Sequence, residues 1–290
     1  MTSKKNQTTR NNTSVLLSEE VKEFEAKNAV SERQRKHLAF GSILMYIFAE
    51  SSKVFNISGK MSFDAIMSLL QKYKIETSED AHDMIEKLAR GEYFTTAAVE
   101  IYKYFVEPNN LVPMTLGDLP GSIDGLKVAW EVSLRETVPT AEHYIELNPN
   151  SSQEESTLIW HVYAQKYMVA YLNNCIEAYK ENIMFFEKKN MFQPEELAAI
   201  TDFSAYDFAR VAYTCKLSVY LGYMEEEEAW KYIEVAAKNA AKHYSSWREY
   251  LCAYIMGRAL STGKDSATLE PALKFLLEHP ESPIANIDFA

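Results

Sequence analysis

Helix start and stop signals divide the stretch from Phe203 to Leu260 into segments that favour α-helices. Ser204 is placed to cap a first segment, because a serine hydroxyl accepts hydrogen bonds from free backbone N–H groups. Gly222 is placed to end it, because glycine readily adopts the left-handed conformation at a helix C-terminus. Glu225 to Glu228 favour the positive end of a second helix dipole, and Ser245 or Ser246 caps a third helix.

The rest of the chain shows the same helical character. Only 9 glycines and 9 prolines occur in 290 residues, which leaves few turn-forming residues and favours helices joined by short loops. A capping-box pattern at Ser31 predicts a helix to about Phe55, and a long helix is predicted from Thr157 to Lys189. Sustained alternation of apolar and polar residues, which is typical of strands, is absent from the sequence. We therefore expect an all-α fold, a multi-helix globular bundle with short loops.

The length of the chain allows one large domain or two modest ones. The N-terminal residues are polar and have little to bury, so we predict a disordered tail over residues 1–17. The densest cluster of helix breakers lies at residues 107–121. We predict an N-terminal helical region over 18–150 and a C-terminal helical region over 151–290, with one continuous domain over 18–290 as the alternative.

Charge and cysteine usage limit the environment and the partners. The formal net charge of −11 argues against nucleic acid as a partner, because that interaction requires a basic surface. An acidic surface instead keeps a protein soluble or recruits a basic protein. The longest apolar segment, Leu38 to Ala49, is shorter than the ~20 residues that a membrane span requires. Cys175, Cys215 and Cys252 lie far apart in apolar patterns, which predicts reduced core thiols in a cytoplasmic protein.

Two of the predicted helices carry charged residues on otherwise apolar surroundings. Asp207 and Arg210 lie among apolar residues of the first helix, and Arg258 shares a face of the third helix with Trp247 and Tyr254. A half-buried arginine keeps its charge and requires an acidic or carbonyl partner. We therefore predict that Arg258 pairs with Asp207 or with a carboxylate of the Glu225 to Glu228 run.

The order of rare residues in this stretch also resembles a known family. The motifs are Tyr206-Asp207-Phe208-Ala209-Arg210, Gly222-Tyr223, Glu228-Ala229-Trp230, Tyr244-Ser245-Ser246-Trp247-Arg248-Glu249-Tyr250 and Gly257-Arg258. In this order they resemble the bacterial family of domain of unknown function 1266, which includes the YbeU-like proteins. The resemblance is concentrated between Phe203 and Arg258. It implies membership of this family, and it does not imply any activity.

The candidate polar network or ligand site comprises six residues, namely Asp207, Arg210, Glu228, Tyr244, Trp247 and Arg258. As structure, it would be an ion-pair network that fixes how three helices cross. As a site, it would be a cleft whose arginines bind a small anionic or amide ligand, with Trp247 and Tyr244 stacking on it. A less favoured version of the site is an enzyme that uses Asp207 or Glu228 as a general base. A deep pocket that holds both guanidiniums without a nearby carboxylate would favour the site.

Motifs for metals, cofactors and nucleophilic catalysis are missing from the sequence. Glu79-x-x-His82 occurs once, whereas a di-iron centre requires this pair twice. The HExxH, P-loop, GxGxxG and GxSxG patterns do not occur. We therefore expect no metal, no cofactor and no catalytic residue, although the sequence leaves the question of an enzyme open.

The favoured function is a protein-interaction or accessory module that acts on another protein, and an antidote against a basic toxin is one form of it. The alternative is a small-molecule-binding domain or enzyme around Asp207, Arg210, Glu228 and Arg258. The sequence does not specify an oligomeric state.

Overall fold

A computed structural model describes residues 12–107 and 152–289, which form packed α-helices. In chain order the helices are α1 (Asn12–Leu16), α2 (Glu19–Lys27), α3 (Glu32–Ala39), α4 (Ser42–Ile47), α5 (Phe63–Lys72), α6 (Ser78–Arg90), α7 (Phe94–Ile101), α8 (Gln153–Lys188), α9 (Pro194–Ala198), α10 (Ala205–Tyr220), α11 (Glu226–His243), α12 (Trp247–Thr262) and α13 (Glu270–Glu278). A π-helical turn (Tyr102–Val106) continues α7, and a 3-10 turn (Ala267–Leu269) precedes α13. The predicted all-α bundle is confirmed.

Helix α10 lies at the centre of the fold. Every residue from Ala205 to Ser218 is buried, and helices α4, α5, α6, α7, α11 and α12 all contact this helix. A helix that is enclosed on every side has no solvent face for its charged residues. Asp207, Arg210 and Lys216 are therefore held in the protein interior, where each requires hydrogen-bonding partners.

Helices from both ends of the chain share one apolar core. Helix α6 packs on α10 and α11, and α7 packs on α12, so that Leu88 and Ile101 lie in the same buried cluster as Phe208 and Ile255. The predicted boundary at residues 150 and 151 lies outside the described residues. The division into two regions therefore stays a prediction.

The N-terminus differs from the predicted tail over residues 1–17. Residues 1–11 lie outside the described part, but Asn12–Leu16 forms helix α1. The Asn12 side-chain amide donates to the Tyr46 carbonyl at 2.9 Å, and the hydroxyls of Thr13 and Tyr46 are 2.7 Å apart. These polar contacts join α1 to α4, which composition alone does not indicate.

Most of the predicted helix ends agree with the structure. Ser31 and Gln34 form the predicted capping box, and Gly222 adopts a φ of 75° after α10. The helix predicted to reach Phe55 is an exception, because α3 ends at Ala39 and the short α4 follows. A Cβ atom at Gly41 would lie 3.0 Å from the Cβ atom of Ala212, so this turn allows close packing against α10.

The remaining global predictions concern membranes and thiols. Within the described ranges, every helix is either too short or too polar to span a bilayer. Cys175, Cys215 and Cys252 are buried and free, which agrees with their predicted position in the core.

Candidate functional site

Asp207 binds the start of helix α7. Its carboxylate accepts hydrogen bonds from the backbone N–H groups of Tyr93 (3.0 Å), Phe94 (2.9 Å) and Thr95 (3.2 Å), and from the Thr95 hydroxyl (2.9 Å). Burial raises the pKa of Asp207 to about 6, so this carboxyl is ionised at neutral pH. The negative charge then faces the positive end of the α7 dipole. Asp207 is thus a fully bonded structural anchor.

Arg210 lies one helical turn after Asp207 and is bonded very differently. Its guanidinium carbon is 3.4 Å from the centre of the Tyr206 ring and 4.7 Å from the centre of the Phe94 ring. One terminal nitrogen donates to the Tyr206 carbonyl. The Nε atom is buried and has no hydrogen-bond partner among the described residues. Only 5% of Arg210 is exposed, so part of a buried cation is left without an acceptor.

Arg258 approaches the same place from α12, and it is half-buried as predicted. Within the described ranges, neither Arg210 nor Arg258 has a carboxylate oxygen within 4.0 Å. Other arginines in these ranges do form such pairs, for example Arg90 with Glu86 and Arg248 with Glu196. The two arginines around α10 therefore differ from the paired arginines elsewhere.

The predicted ion pair of Arg258 with Asp207 or the glutamate run does not form. Asp207 is saturated by the start of α7. Glu228 caps its own helix, because its carboxylate accepts a bond from the Glu225 N–H at 3.4 Å, and it lies 3.9 Å from the His82 imidazole. The glutamates are thus used at the N-terminus of α11 and not beside Arg258.

Arg210 and Arg258 instead line one cavity of about 700 Å³. Its lining residues are Asn12, Leu44, Tyr46, Ile47, Tyr206, Arg210, Tyr254, Arg258, Thr262, Lys264, Thr268, Leu269, Pro271 and Ala272. Among these described residues there are three cations and no aspartate or glutamate. We call this cavity the arginine pocket.

The three cations of the arginine pocket differ in depth. Arg210 is buried, Arg258 is half-buried and Lys264 is exposed. Positive charge therefore extends from solvent to the interior of the pocket. Such an arrangement attracts anions and guides them inward.

Gly257 brings α12 close enough to α10 to form this pocket. A Cβ atom at Gly257 would lie 2.9 Å from the Phe203 carbonyl oxygen and 3.0 Å from the Tyr206 Cβ atom. Any other residue would therefore push the two helices apart. The close contact places Arg258 next to Tyr206, and the Arg210 guanidinium stacks on the Tyr206 ring.

Tyr244 and Trp247 lie away from the pocket. The Tyr244 hydroxyl donates to Asp202 at 2.8 Å and accepts from the Ala205 N–H at 2.9 Å. The Ser204 hydroxyl donates to Asp202 and does not cap α10 as predicted. Tyr244 therefore fixes the start of α10.

Trp247 fixes the C-terminal residues. Its indole N–H donates to the Ile287 carbonyl at 2.7 Å, and its ring contacts those of Phe40 and Phe289. Of the six predicted residues, the structure therefore brings Arg210 and Arg258 together in the pocket. Asp207 is adjacent on α10, whereas Glu228, Tyr244 and Trp247 serve elsewhere.

Sequence reasoning missed several pocket residues. Tyr206 precedes Arg210 by four positions, which is the spacing of neighbours on one helix face, and this signal could have identified it. Lys264 follows the end of α12 and has no distinguishing signal in the sequence. Leu44 and Ile47 come from a distant part of the chain, so only tertiary structure places them here.

Lys216 is a second buried cation that sequence reasoning missed. Its ammonium group donates to the Ser51 carbonyl at 2.7 Å. Burial lowers the pKa of Lys216 to about 8. Unlike Arg210, it does not line the arginine pocket, and it ties α10 to the loop after α4.

The fold and the pocket define a class of protein, an all-α bundle in which a buried central helix and its neighbour direct arginines into a shared cavity. The chain belongs to the family described as "Protein of unknown function (DUF1266)", whose model matches residues 125–289. The match contains all three cations of the pocket, whereas Asn12, Leu44, Tyr46 and Ile47 lie outside it. The comparison with curated proteins found no match, and the comparison with solved structures found none either.

Proposed function

We propose that this protein binds a small anionic ligand in the arginine pocket. The single observation that supports this most directly is that two guanidiniums share a cavity of about 700 Å³ without a carboxylate partner among the described residues. Arginine remains charged at all physiological pH values, and a buried charge without a partner costs free energy. An oxyanion would supply the missing acceptors.

The planar guanidinium groups of the pocket suit an oxyanion as the ligand. An arginine offers several N–H donors in a fixed fork, which matches the oxygens of a carboxylate or a phosphate. Arg210 is held against the faces of Tyr206 and Phe94, so its orientation is fixed before a ligand arrives. A fixed donor loses less conformational entropy on binding than a mobile one.

The role is binding and not acid–base chemistry at Asp207 or Glu228. Both oxygens of Asp207 are occupied by donors from α7, and neither Asp207 nor Glu228 is among the described lining residues of the pocket. The two carboxylates suggested as general bases therefore do not face the proposed ligand.

Inorganic phosphate is the simplest probe of this function. We expect phosphate, titrated against chloride at constant ionic strength, to raise the midpoint of thermal unfolding. Arg258→Met should weaken phosphate binding at least about tenfold, because a charge-assisted hydrogen bond contributes about 1.5–3 kcal/mol. Arg90→Met is the matched control, since Arg90 is exposed on α6 and outside the pocket.

Two results would contradict the proposal. One is a wild-type protein whose unfolding midpoint does not respond to phosphate. The other is an equal loss of binding in Arg258→Met and Arg90→Met, which would indicate a general charge effect and not a site.

Protein binding remains a second proposal, supported by the net charge of −11 and by Glu225, Glu226 and Glu227, which are exposed at the start of α11. The partner would be a basic protein, as for an antidote that neutralises a basic toxin. A partner captured by the wild type should be released at high salt and lost from a Glu226→Lys, Glu227→Lys variant. Capture that is insensitive to both changes would reject this role.

The biological setting is also proposed. The free, buried cysteines support a cytoplasmic location, and the motif order supports a bacterial source among the YbeU-like proteins. Labelling of intact cells with an amine reagent that does not cross membranes should leave exposed lysines such as Lys264 unmodified, and labelling of these lysines would contradict that location.

A further inference from the structure

We infer that the ligand of the arginine pocket is amphipathic, with an oxyanion attached to an apolar body. An alkyl phosphate or an alkyl carboxylate has this chemistry. The inference rests on the proposed function, because it describes the part of the ligand that the arginines do not hold.

The first observation is the size of the cavity. A volume of about 700 Å³ falls within the range of roughly 300–1,000 Å³ that is typical of pockets for small molecules. A water molecule occupies about 30 Å³ in the liquid, and a phosphate ion is only a few times larger. A bare anion beside the arginines would therefore leave most of the cavity to water.

The second observation is the character of the remaining lining. Leu44 and Ile47 come from α4, whereas Leu269, Pro271 and Ala272 come from the 3-10 turn and the start of α13. These elements pack on each other, and α10 packs on α12. The two arginines and these apolar side chains thus come from different elements of the fold. A ligand that fills the cavity meets both.

The third observation is the exposure of Ile47. This side chain is 36% exposed, and it is one of the large exposed apolar side chains of the described residues. Ile47 lies at the C-terminal end of α4, where its carbonyl accepts a bond from Asn12. A ligand with an apolar body would cover this side chain and remove its apolar surface from water.

The chain length of the ligand provides the direct test. We would titrate the full-length protein calorimetrically with inorganic phosphate, butyl phosphate and octyl phosphate at the same pH and ionic strength. We expect the affinity to rise by roughly two- to fourfold for each methylene that becomes buried. Octanoate tests the carboxylate form of the same ligand, and octyl glucoside tests an apolar chain without an anion.

A pair of surface variants assigns the effect to the pocket. Ile47→Asn should lower the affinity for octyl phosphate at least about fivefold and that for inorganic phosphate by a clearly smaller factor. Val235→Asn is the control, because Val235 is similarly exposed at 43% but lies on α11, outside the pocket. It should change neither affinity. Both variants alter exposed side chains, so thermal unfolding should show that both fold.

The outcomes separate the two proposals. Equal affinity for phosphate and octyl phosphate would overturn the amphipathic ligand and leave the anion site intact. Equal affinity for octyl phosphate and octyl glucoside, unaffected by Arg258→Met, would instead overturn the anion site. An affinity that rises with chain length, falls in Arg258→Met for every anion and falls in Ile47→Asn more for octyl phosphate than for inorganic phosphate would support both.

Discussion

Asp207 and Arg210 lie one turn apart on the same buried helix, yet their charges differ in how completely they are hydrogen-bonded. Asp207 accepts four hydrogen bonds from the start of α7. Arg210 is stacked on two rings, leaves its Nε atom without an acceptor among the described residues and faces a cavity. Buried polar groups are normally satisfied, and exceptions call for an explanation. The difference distinguishes a charge that holds the fold from a charge that can hold a ligand.

Lys216 shows which feature makes Arg210 exceptional. It is also a buried cation on α10 and also lacks a paired carboxylate among the described residues, but its ammonium group reaches the Ser51 carbonyl. The absence of an acidic partner is therefore not sufficient to indicate a site. The combination that matters is an incompletely bonded cation and an adjoining cavity.

The largest expected loss of stability comes from removing Asp207, whose charge is fully hydrogen-bonded. Asp207→Ala leaves three backbone N–H groups at the start of α7 without their acceptor, so we expect the free energy of unfolding to fall by about 3–5 kcal/mol. Asp64→Ala is the control, because Asp64 is exposed in the first turn of α5 and should cost less than about 1 kcal/mol. Urea unfolding followed by circular dichroism measures both. Similar costs for the two variants would remove the structural role assigned to Asp207.

The pH dependence of stability sharpens the same comparison. Burial raises the pKa of Asp207 from its ordinary 3.8 to about 6. Between these pH values the folded protein binds more protons than the unfolded chain, so this group lowers the free energy of unfolding as pH rises. The total effect is at most about 3 kcal/mol.

Asp207→Asn cannot titrate and should lack this contribution. Urea unfolding of both proteins between about pH 4 and pH 7 should therefore show that the stability advantage of the wild type over the variant shrinks as pH rises. An advantage that grows with pH would mean that the four donors depress the Asp207 pKa below its ordinary value.

A smaller effect is expected from the glycine that joins the two arginine-bearing helices. Gly257→Ala places a methyl group 2.9 Å from the Phe203 carbonyl oxygen, so we expect a loss of about 1–3 kcal/mol from overpacking. Because the helices must separate, the variant should also bind phosphate more weakly. A variant with wild-type stability and wild-type binding would show that this close approach is not needed for the pocket.

The smallest effect on stability is expected from removing Arg210, whose charge is incompletely hydrogen-bonded. Arg210→Met keeps an apolar chain against Tyr206 and Phe94 and removes a buried cation, so we expect a change of about 1 kcal/mol or less in the free energy of unfolding. Phosphate should no longer raise the unfolding midpoint of this variant. A cost as large as that of Asp207→Ala would break the comparison, since Arg210 would then be a structural residue.

Local signals in the sequence predicted the helices well. The capping box at Ser31, the stop at Gly222 and the cap at Ser246 act over a few neighbouring residues, so they can be identified without the fold. The continuation of the helix to Phe55 was wrong, because α3 ends at Ala39 and α4 ends at Ile47. The turn between them brings Gly41 against Ala212, which is far away in sequence. A contact of that kind leaves no local pattern.

For the candidate site, too, local sequence signals and tertiary contacts determined different features. The sequence by itself determined that Asp207, Arg210 and Arg258 are charged residues on apolar helix faces, because the helical period fixes which residues share a face. Only the tertiary structure decided that Asp207 bonds to α7 while the arginines share a cavity with Lys264 and Ile47. The physical reason is that the partner of a buried charge depends on which helix packs beside it, and helix packing depends on side chains from the whole chain.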